Sequence, residues 1–259
     1  GINEINGTIN NCIITDNYAC KTGGGLSECS GDITNCIITY NEADTGGGIY
    51  GEPAICNSTI CNNTAYTGAG FLANKGQCLL SECTIKNNNC LSYGHSIVIE
   101  GDVSLISSVL ASDLDLRVIE SAAITGAGTL NLDTGSILRI EAGETVLDCN
   151  ITGPGKIIIY DIGQLTIVND SVIDMGGTTE NGSIECDSLM ILKDYASIAN
   201  AEIAVNMAGI EDYGIIYNSS IEADSSLAQF YIAEYADVNQ VSIISNGDRY
   251  MDLNPEEFY

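Results

Sequence analysis

The chain has no tryptophan, a single histidine, three prolines and three phenylalanines, and only 8 basic residues among 259. Each scarcity excludes something. So few Lys and Arg side chains cannot neutralise a phosphate lattice, which argues against nucleic acid and against anionic membrane surfaces as partners. The one histidine, His95, has no Ser, Cys or Asp arranged around it in the sequence, so it reads as a corner substitution rather than a triad member. No stretch approaches the roughly 20 apolar residues of a membrane span. The longest apolar runs, such as "IIIY" at 157–160, have strand length, and no membrane insertion is expected. No signal peptide is recognisable and residue 1 is Gly, so the sequence reads as a processed mature form or a trimmed chain.

What the chain has instead is acid, glycine, cysteine and β-branched apolar residues. Its 35 acidic residues give a formal net charge of −27, yet 45% of the chain is hydrophobic, enough to build a core rather than a disordered coil. The acid is uneven: residues 1–100 hold 9 acidic and 3 basic side chains, the remainder 26 and 5. The 11 cysteines are uneven in the opposite sense, with nine in the first 90 residues. No C-x-x-C pair occurs, which disfavours zinc and leaves disulfides and buried thiols. Because the count is odd, at least one cysteine is unpaired or joined to another chain.

Order appears when the sequence is aligned with itself. "NCIITDNYACKTGGGLS" at 11–27 returns as "NCIITYNEADTGGGIYG" at 35–51. Anchored on the Asn after the isoleucine pair, Asn17, Asn41, Asn63 and Asn88 recur at intervals of 24, 22 and 25, and Asp113 continues the series. Five residues before these anchors stand Cys12, Cys36, Ser58, Cys83 and Ser108; three before stand Ile14, Ile38, Ile60, Ile85 and Leu110. Glycine runs follow at 23–25, 46–48 and 68–70, with a degraded "YGHS" at 93–96. Positions −5 and −3 share parity and so share one face of a strand. Abundant β-branched residues, Asn and Gly disfavour helix. A period of 22–25 with short strands and glycine corners describes one coil of a parallel β-solenoid, an all-β fold whose coils stack at ~4.8 Å. Stacking predicts an Asn ladder of Asn17, Asn41, Asn63 and Asn88, with Asn supplying the left-handed backbone of the corner. It also predicts an inward column of buried thiols at Cys12, Cys36 and Cys83. Cys20, Cys29, Cys56, Cys61, Cys78 and Cys90 fall off that column and are the disulfide candidates, within or between chains.

The order Ile-x-x-Asn-x-Ala followed by Gly-Gly-Gly-Ile or -Leu resembles the "FxxN" and "GGAI" repeats of polymorphic outer-membrane-type proteins, over about residues 5–100 and with Ile where that family often has Phe. The resemblance implies a secreted right-handed parallel β-helix. It implies little about activity, because such helices serve as adhesins, surface-layer components and polysaccharide lyases. More loosely, the acidic, Gly/Asn/Cys-bearing composition is similar to that of archaeal tubular sheath and surface-layer proteins, without a matched motif.

Beyond about residue 120 the wording changes, but "GTLNLDTGSILRIEAGETVLDCNITG" at 128–153 still alternates apolar and polar residues between glycine turns. Residues 1–120 are thus expected to form the Cys/Asn/Gly-rich coils and 121–259 an acidic continuation, with a separate β-sandwich as the alternative. The absence of a Pro/Ser-rich linker favours continuity.

Few residues invite a catalytic reading. "DLDLR" at 113–117 is the one compact acidic cluster beside a base, and β-helix lyases and glycosidases use such groups. Alternation sets Asp113, Asp115 and Arg117 on one face against Leu114 and Leu116, as in a solvated strand, and polygalacturonase-type signatures are missing. Seven N-x-S/T sequons, at Asn6, Asn57, Asn62, Asn150, Asn169, Asn181 and Asn218, fit a secreted, glycosylated surface. The expected function is therefore non-enzymatic: an extracellular structural protein of the cell envelope that polymerises with itself into a sheath or surface layer. No cofactor is required, though an acidic surface can recruit Ca2+, and a cell-wall polymer is a second candidate partner. The competing readings are a polysaccharide-binding adhesin and a polysaccharide lyase or glycoside hydrolase.

Overall fold

A computed structural model of the chain describes residues 1–52, 54–73, 78–91, 97–99, 103–105, 109–112, 115–118, 122–169, 171–176, 182–193, 195–210, 213–223, 229–232 and 236–245. Among them the only regular element is the β-strand, and every strand pairing is parallel. Each strand pairs with its equivalent one coil earlier and one coil later. The column that starts Ile2, Leu26, Ile49, Phe71 continues through Ile97, Leu116, Leu138, Ile157, Ile184, Ile203, Ile221 and Ile243. From Leu26 to Ile221 every member of that column is buried. The fold is a parallel β-solenoid.

Each coil has three faces. In the second coil they are Leu26–Ser27, Asp32–Thr34 and Ile37–Thr39. Their inward residues Leu26, Ile33 and Ile38 are buried and head three aliphatic columns, since alternate residues of a strand point to one side. Ile9, Ile33, Ile55 and Leu80 stack on the second face and Ile14, Ile38, Ile60 and Ile85 on the third. No single coil could bury such a face; only stacking makes a core. At the corner before the first face the coils come close enough to require glycine. A Cβ on Gly48 would fall on the carbonyl oxygen of Gly70 and lie 2.9 Å from Asn63 Nδ2.

In one unit the repeat alignment is corrected. Leu110 pairs with Thr84, and Ile85 pairs with Ala111. The chain between the fourth and fifth third-face strands is thus one residue longer than the anchor spacing implied. Ser108 and Asp113 lie outside the described residues.

After residue 121 the pairing stays parallel but the strands lengthen. Ile137–Thr152 runs 16 residues and Lys156–Ile167 runs 12. One strand now covers two or three faces, and the corners inside it are taken by register shifts, as between Ile140 and Ala142 or between Cys186 and Leu189. Bulges of this kind bend a strand without ending it. The ladder passes directly from Asp115–Val118 to Ile137–Ile140.

Candidate functional site

The polar side chains that the repeat singles out converge on its corners. The left-handed residue of the third-face corner is Asp16, Tyr40, Asn62 and Asn87 in successive coils, with φ of 56°, 55°, 54° and 53°. The expectation that the anchor Asn itself takes this conformation is corrected: the residue before it does, and the turn swings the anchor side chain inward. Asn41 and Asn63 are buried there. Nδ2 of Asn17 donates to Oδ1 of Asn41 at 2.9 Å, Asn41 to Asn63 at 3.0 Å, and Asn63 to Asn88 at 3.1 Å. The same oxygens accept the backbone N–H of Asn17, Asn41 and Asn63, at 3.1, 3.0 and 3.1 Å. The second Nδ2 hydrogen of Asn41, Asn63 and Asn88 reaches back to the carbonyls of Ile14, Ile38 and Ile60, at 2.9, 2.9 and 3.1 Å. Asn41 and Asn63 thereby use both donors and both acceptor lone pairs. A buried amide so placed is fully satisfied and fixes the register of four coils.

The corner between second and third faces follows the same rule with sulfur. Asn11, Asn35, Asn57 and Glu82 are left-handed, and the residue after each, Cys12, Cys36, Ser58 or Cys83, turns inward. Cys36 Sγ donates to the carbonyls of Thr34 and Ile9 at 3.1 and 3.5 Å, and Cys83 Sγ to those of Ser81 and Ile55, both at 3.3 Å. Ser58 Oγ donates to the Cys56 carbonyl at 2.8 Å and accepts the Cys36 N–H at 3.0 Å. Cys36 and Cys83 are buried and Cys12, in the first coil, is half-buried. Burial raises the pKa of Cys36 and Cys83, keeping them protonated donors.

No disulfide joins any of the eleven cysteines. Of the disulfide candidates, Cys29 and Cys78 are buried in the core; Cys29 follows left-handed Glu28 and donates to the Ser27 carbonyl at 3.4 Å. Cys56, Cys61 and Cys90 are half-buried and Cys20 is exposed. Desolvation pushes Cys78 and Cys149 up to about 12.

The sequence reading missed a second amide ladder, on the outside. Asn35 Nδ2 donates to Asn10 Oδ1 at 3.0 Å and Asn57 Nδ2 to Asn35 Oδ1 at 2.6 Å. A counterpart joins Asp174, Asn200 and Asn218, with Nδ2 of Asn200 on Asp174 Oδ1 at 2.7 Å and Nδ2 of Asn218 on Asn200 Oδ1 at 2.5 Å. Its signal was the Asn before Cys or Ser at 35–36, 57–58 and 218–219.

Two sequon asparagines, Asn150 and Asn169, line an open groove of about 370 Å³ with Gly126, Ala127, Asp148, Cys149 and Ser171. Its polar groups close on one another: Asn169 Nδ2 donates to Asp148 at 3.0 Å and Asn150 Oδ1 accepts the Val172 N–H at 2.9 Å. Asn6, Asn57 and Asn218 are exposed and Asn62 is half-buried; Asn181 lies outside the described residues, as do His95 and Asp113. Leu116 points into the core and Arg117 outward, where it pairs with Glu141. Among the described residues no three His, Cys, Asp or Glu side chains gather as a metal site.

The chain matches no family model, no curated protein and no solved structure. Function must be read from the coils themselves.

Proposed function

We propose that this protein is an extracellular structural element that assembles with copies of itself into a cell-surface sheath or layer. One observation carries the reading: the conspicuous polar residues of the repeat, Asn41, Asn63, Cys36, Ser58 and Cys83, are engaged in bonding one coil to the next. Chemistry-bearing side chains committed to stacking build a rigid rod, and a rigid rod with a patterned outer surface is a building block. The finer resemblances, to outer-membrane-type repeats and to archaeal sheath proteins, agree with that role and with a location in the cell envelope. Half-buried Cys61 and exposed Cys20 supply thiols through which neighbouring rods could be covalently joined.

A second reading has its own observation. Tyr18, Tyr40 and Tyr66 in three successive coils, with Leu91 in the fourth, are exposed along the edge that follows the third face. They stand at different register positions of that edge, Tyr18 being opposite Glu42, but exposed aromatic rings on neighbouring coils suit the apolar faces of sugar rings, as in a polysaccharide-binding adhesin.

Electron microscopy of the purified protein separates the two. Regular tubes, sheets or fibres are expected for a structural element. Dispersed single rods that bind a cell-wall glycan, and lose it when Tyr18, Tyr40 and Tyr66 are changed together to Ser, would overturn that reading in favour of the adhesin.

A further inference from the structure

The outward side of the first face carries an ordered distribution of charge. Its successive coils present Arg117, Arg139, Ile158, Glu185, Ala204 and Glu222 in one register column. Two residues earlier on the same strands the neighbouring column runs, from the coil of Arg139 onward, Ile137, Lys156, Ser183, Glu202 and Ser220. Three of the chain's 8 basic residues thus occupy three consecutive coils of this one face, and the next three coils carry Glu185, Glu202 and Glu222. Glu202 and Glu222 are exposed, and Arg117, Arg139, Lys156 and Glu185 are half-buried. Two of these bases already meet an acid within the chain, Arg117 pairing with Glu141 and Lys156 reaching across the boundary to Glu185, and Arg139 donates to the Tyr160 hydroxyl at 2.7 Å. Half-exposed ion pairs of this kind hold their partners weakly and exchange them readily.

We infer that this face is the contact between two copies of the chain, laid face to face and antiparallel. The inference rests on the self-assembly reading and specifies its surface. A two-fold axis lying in the contact plane across the rod, between the coils of Ile158 and Glu185, keeps each column on itself and reverses the order of coils. It sets Arg117 opposite Glu222 of the second copy in the same column. Arg139 and Lys156 come opposite the coils of Glu202 and Glu185, one column aside, a step that long side chains span. Each copy supplies both halves, so every attraction occurs twice, as a self-complementary two-fold interface requires. A parallel arrangement, coil on like coil, would place base on base and acid on acid.

The test uses the full chain and two charge reversals, Arg139→Glu and Glu202→Arg, each checked for folding by circular dichroism. Sedimentation of the wild type at low salt is expected to show a dimer or larger species that loosens as ionic strength rises. Each reversal alone is expected to weaken association by about tenfold or more, since like charges then meet at two symmetric places. An equimolar mixture of the two variants is expected to associate as the wild type does, because each then carries the charge the other needs. If the wild type associates and the variants associate equally well, the face is not the contact and self-assembly stands on some other surface. If the variants fail and the mixture fails with them, the antiparallel arrangement is wrong. A wild type that stays a single rod at every salt concentration removes both this inference and the self-assembly reading.

Discussion

The first ninety residues and the residues after 121 build the same column of aliphatic side chains by different means. In the first region the strands are two to four residues long, and the corners after the second and third faces are each a left-handed residue followed by an inward Asn, Cys or Ser that bonds a neighbouring coil. In the second region strands of up to 16 residues bend through register shifts, and the buried polar residues there, Ser136, Thr145, Thr166, Ser171 and Ser219, carry hydroxyls rather than amides. Amide-laddered corners impose one register because a slipped amide leaves buried donors empty, while bends without such a ladder tolerate variation in coil length. The anchors of the first region recur at 22–25 residues, whereas Ile184, Ile203 and Ile221 lie 19 and 18 apart.

The contrast is broken most directly at Asn63. Replacing it with Leu keeps the volume but strips partners from the Asn41 N–H, the Asn41 side-chain amide and the Ile38 carbonyl. Stranding two or three buried polar groups should cost about 3–6 kcal/mol. Ile198→Ala, which only opens a cavity in the aliphatic region, should cost about 3 kcal/mol. Urea unfolding of both variants measures the difference. An Asn63→Leu protein that unfolds at the wild-type midpoint would mean that the ladder decorates the corner rather than holding it.

How much of this was legible beforehand follows the same division. Asn17, Asn41, Asn63 and Asn88 could be aligned by eye because a polar ladder demands the same residue type in every coil. The left-handed positions before them were not legible, since Asp16, Tyr40, Asn62 and Asn87 share a backbone conformation and no side-chain chemistry. The Leu110 register failed because a spacing can be counted only between anchors, and a single added residue between coils shifts everything after it. Beyond 121 any aliphatic residue fills a column, so alternation disclosed strands without disclosing which strand lies on which. The charge order along Arg117, Arg139, Lys156, Glu185, Glu202 and Glu222 was hidden for that reason: it exists only once the coils are stacked.

Buried thiols offer a smaller contrast, because one of the two strongest cases lies in each region. Cys78 and Cys149 are both raised to about 12 by desolvation. A folded-state pKa above the unfolded value near 9 means that the thiols' contribution is fully present below pH 9 and lost as pH rises toward 12. Stability should therefore fall across that window, by up to about 1 kcal/mol per pH unit for each thiol. Cys78→Ala and Cys149→Ala should each flatten the slope, a result that alkaline urea titrations would show. An equal slope in both variants and the wild type would mean that neither thiol is protected. In the native protein at pH 8, a thiol reagent should reach exposed Cys20 first and leave Cys36, Cys78, Cys83 and Cys149 until unfolding.

The smallest effect concerns a corner of the second region where aromatic contact takes the place of an amide ladder. Tyr195 and Tyr213, one coil apart, are both left-handed, with φ of 63° and 67°, and their rings stack with centroids 4.8 Å apart and 7° between planes. A stack of this kind is worth about 1 kcal/mol, and the left-handed backbone costs a non-glycine residue about as much. Tyr213→Ala should lose the stack and keep the strain, lowering stability by about 1 kcal/mol. Tyr213→Gly loses the stack and relieves the strain, so its melting temperature should return close to the wild-type value. Were the glycine variant the less stable of the two, the rings would not be compensating for the backbone, and this corner would be held by something other than the aromatic pair.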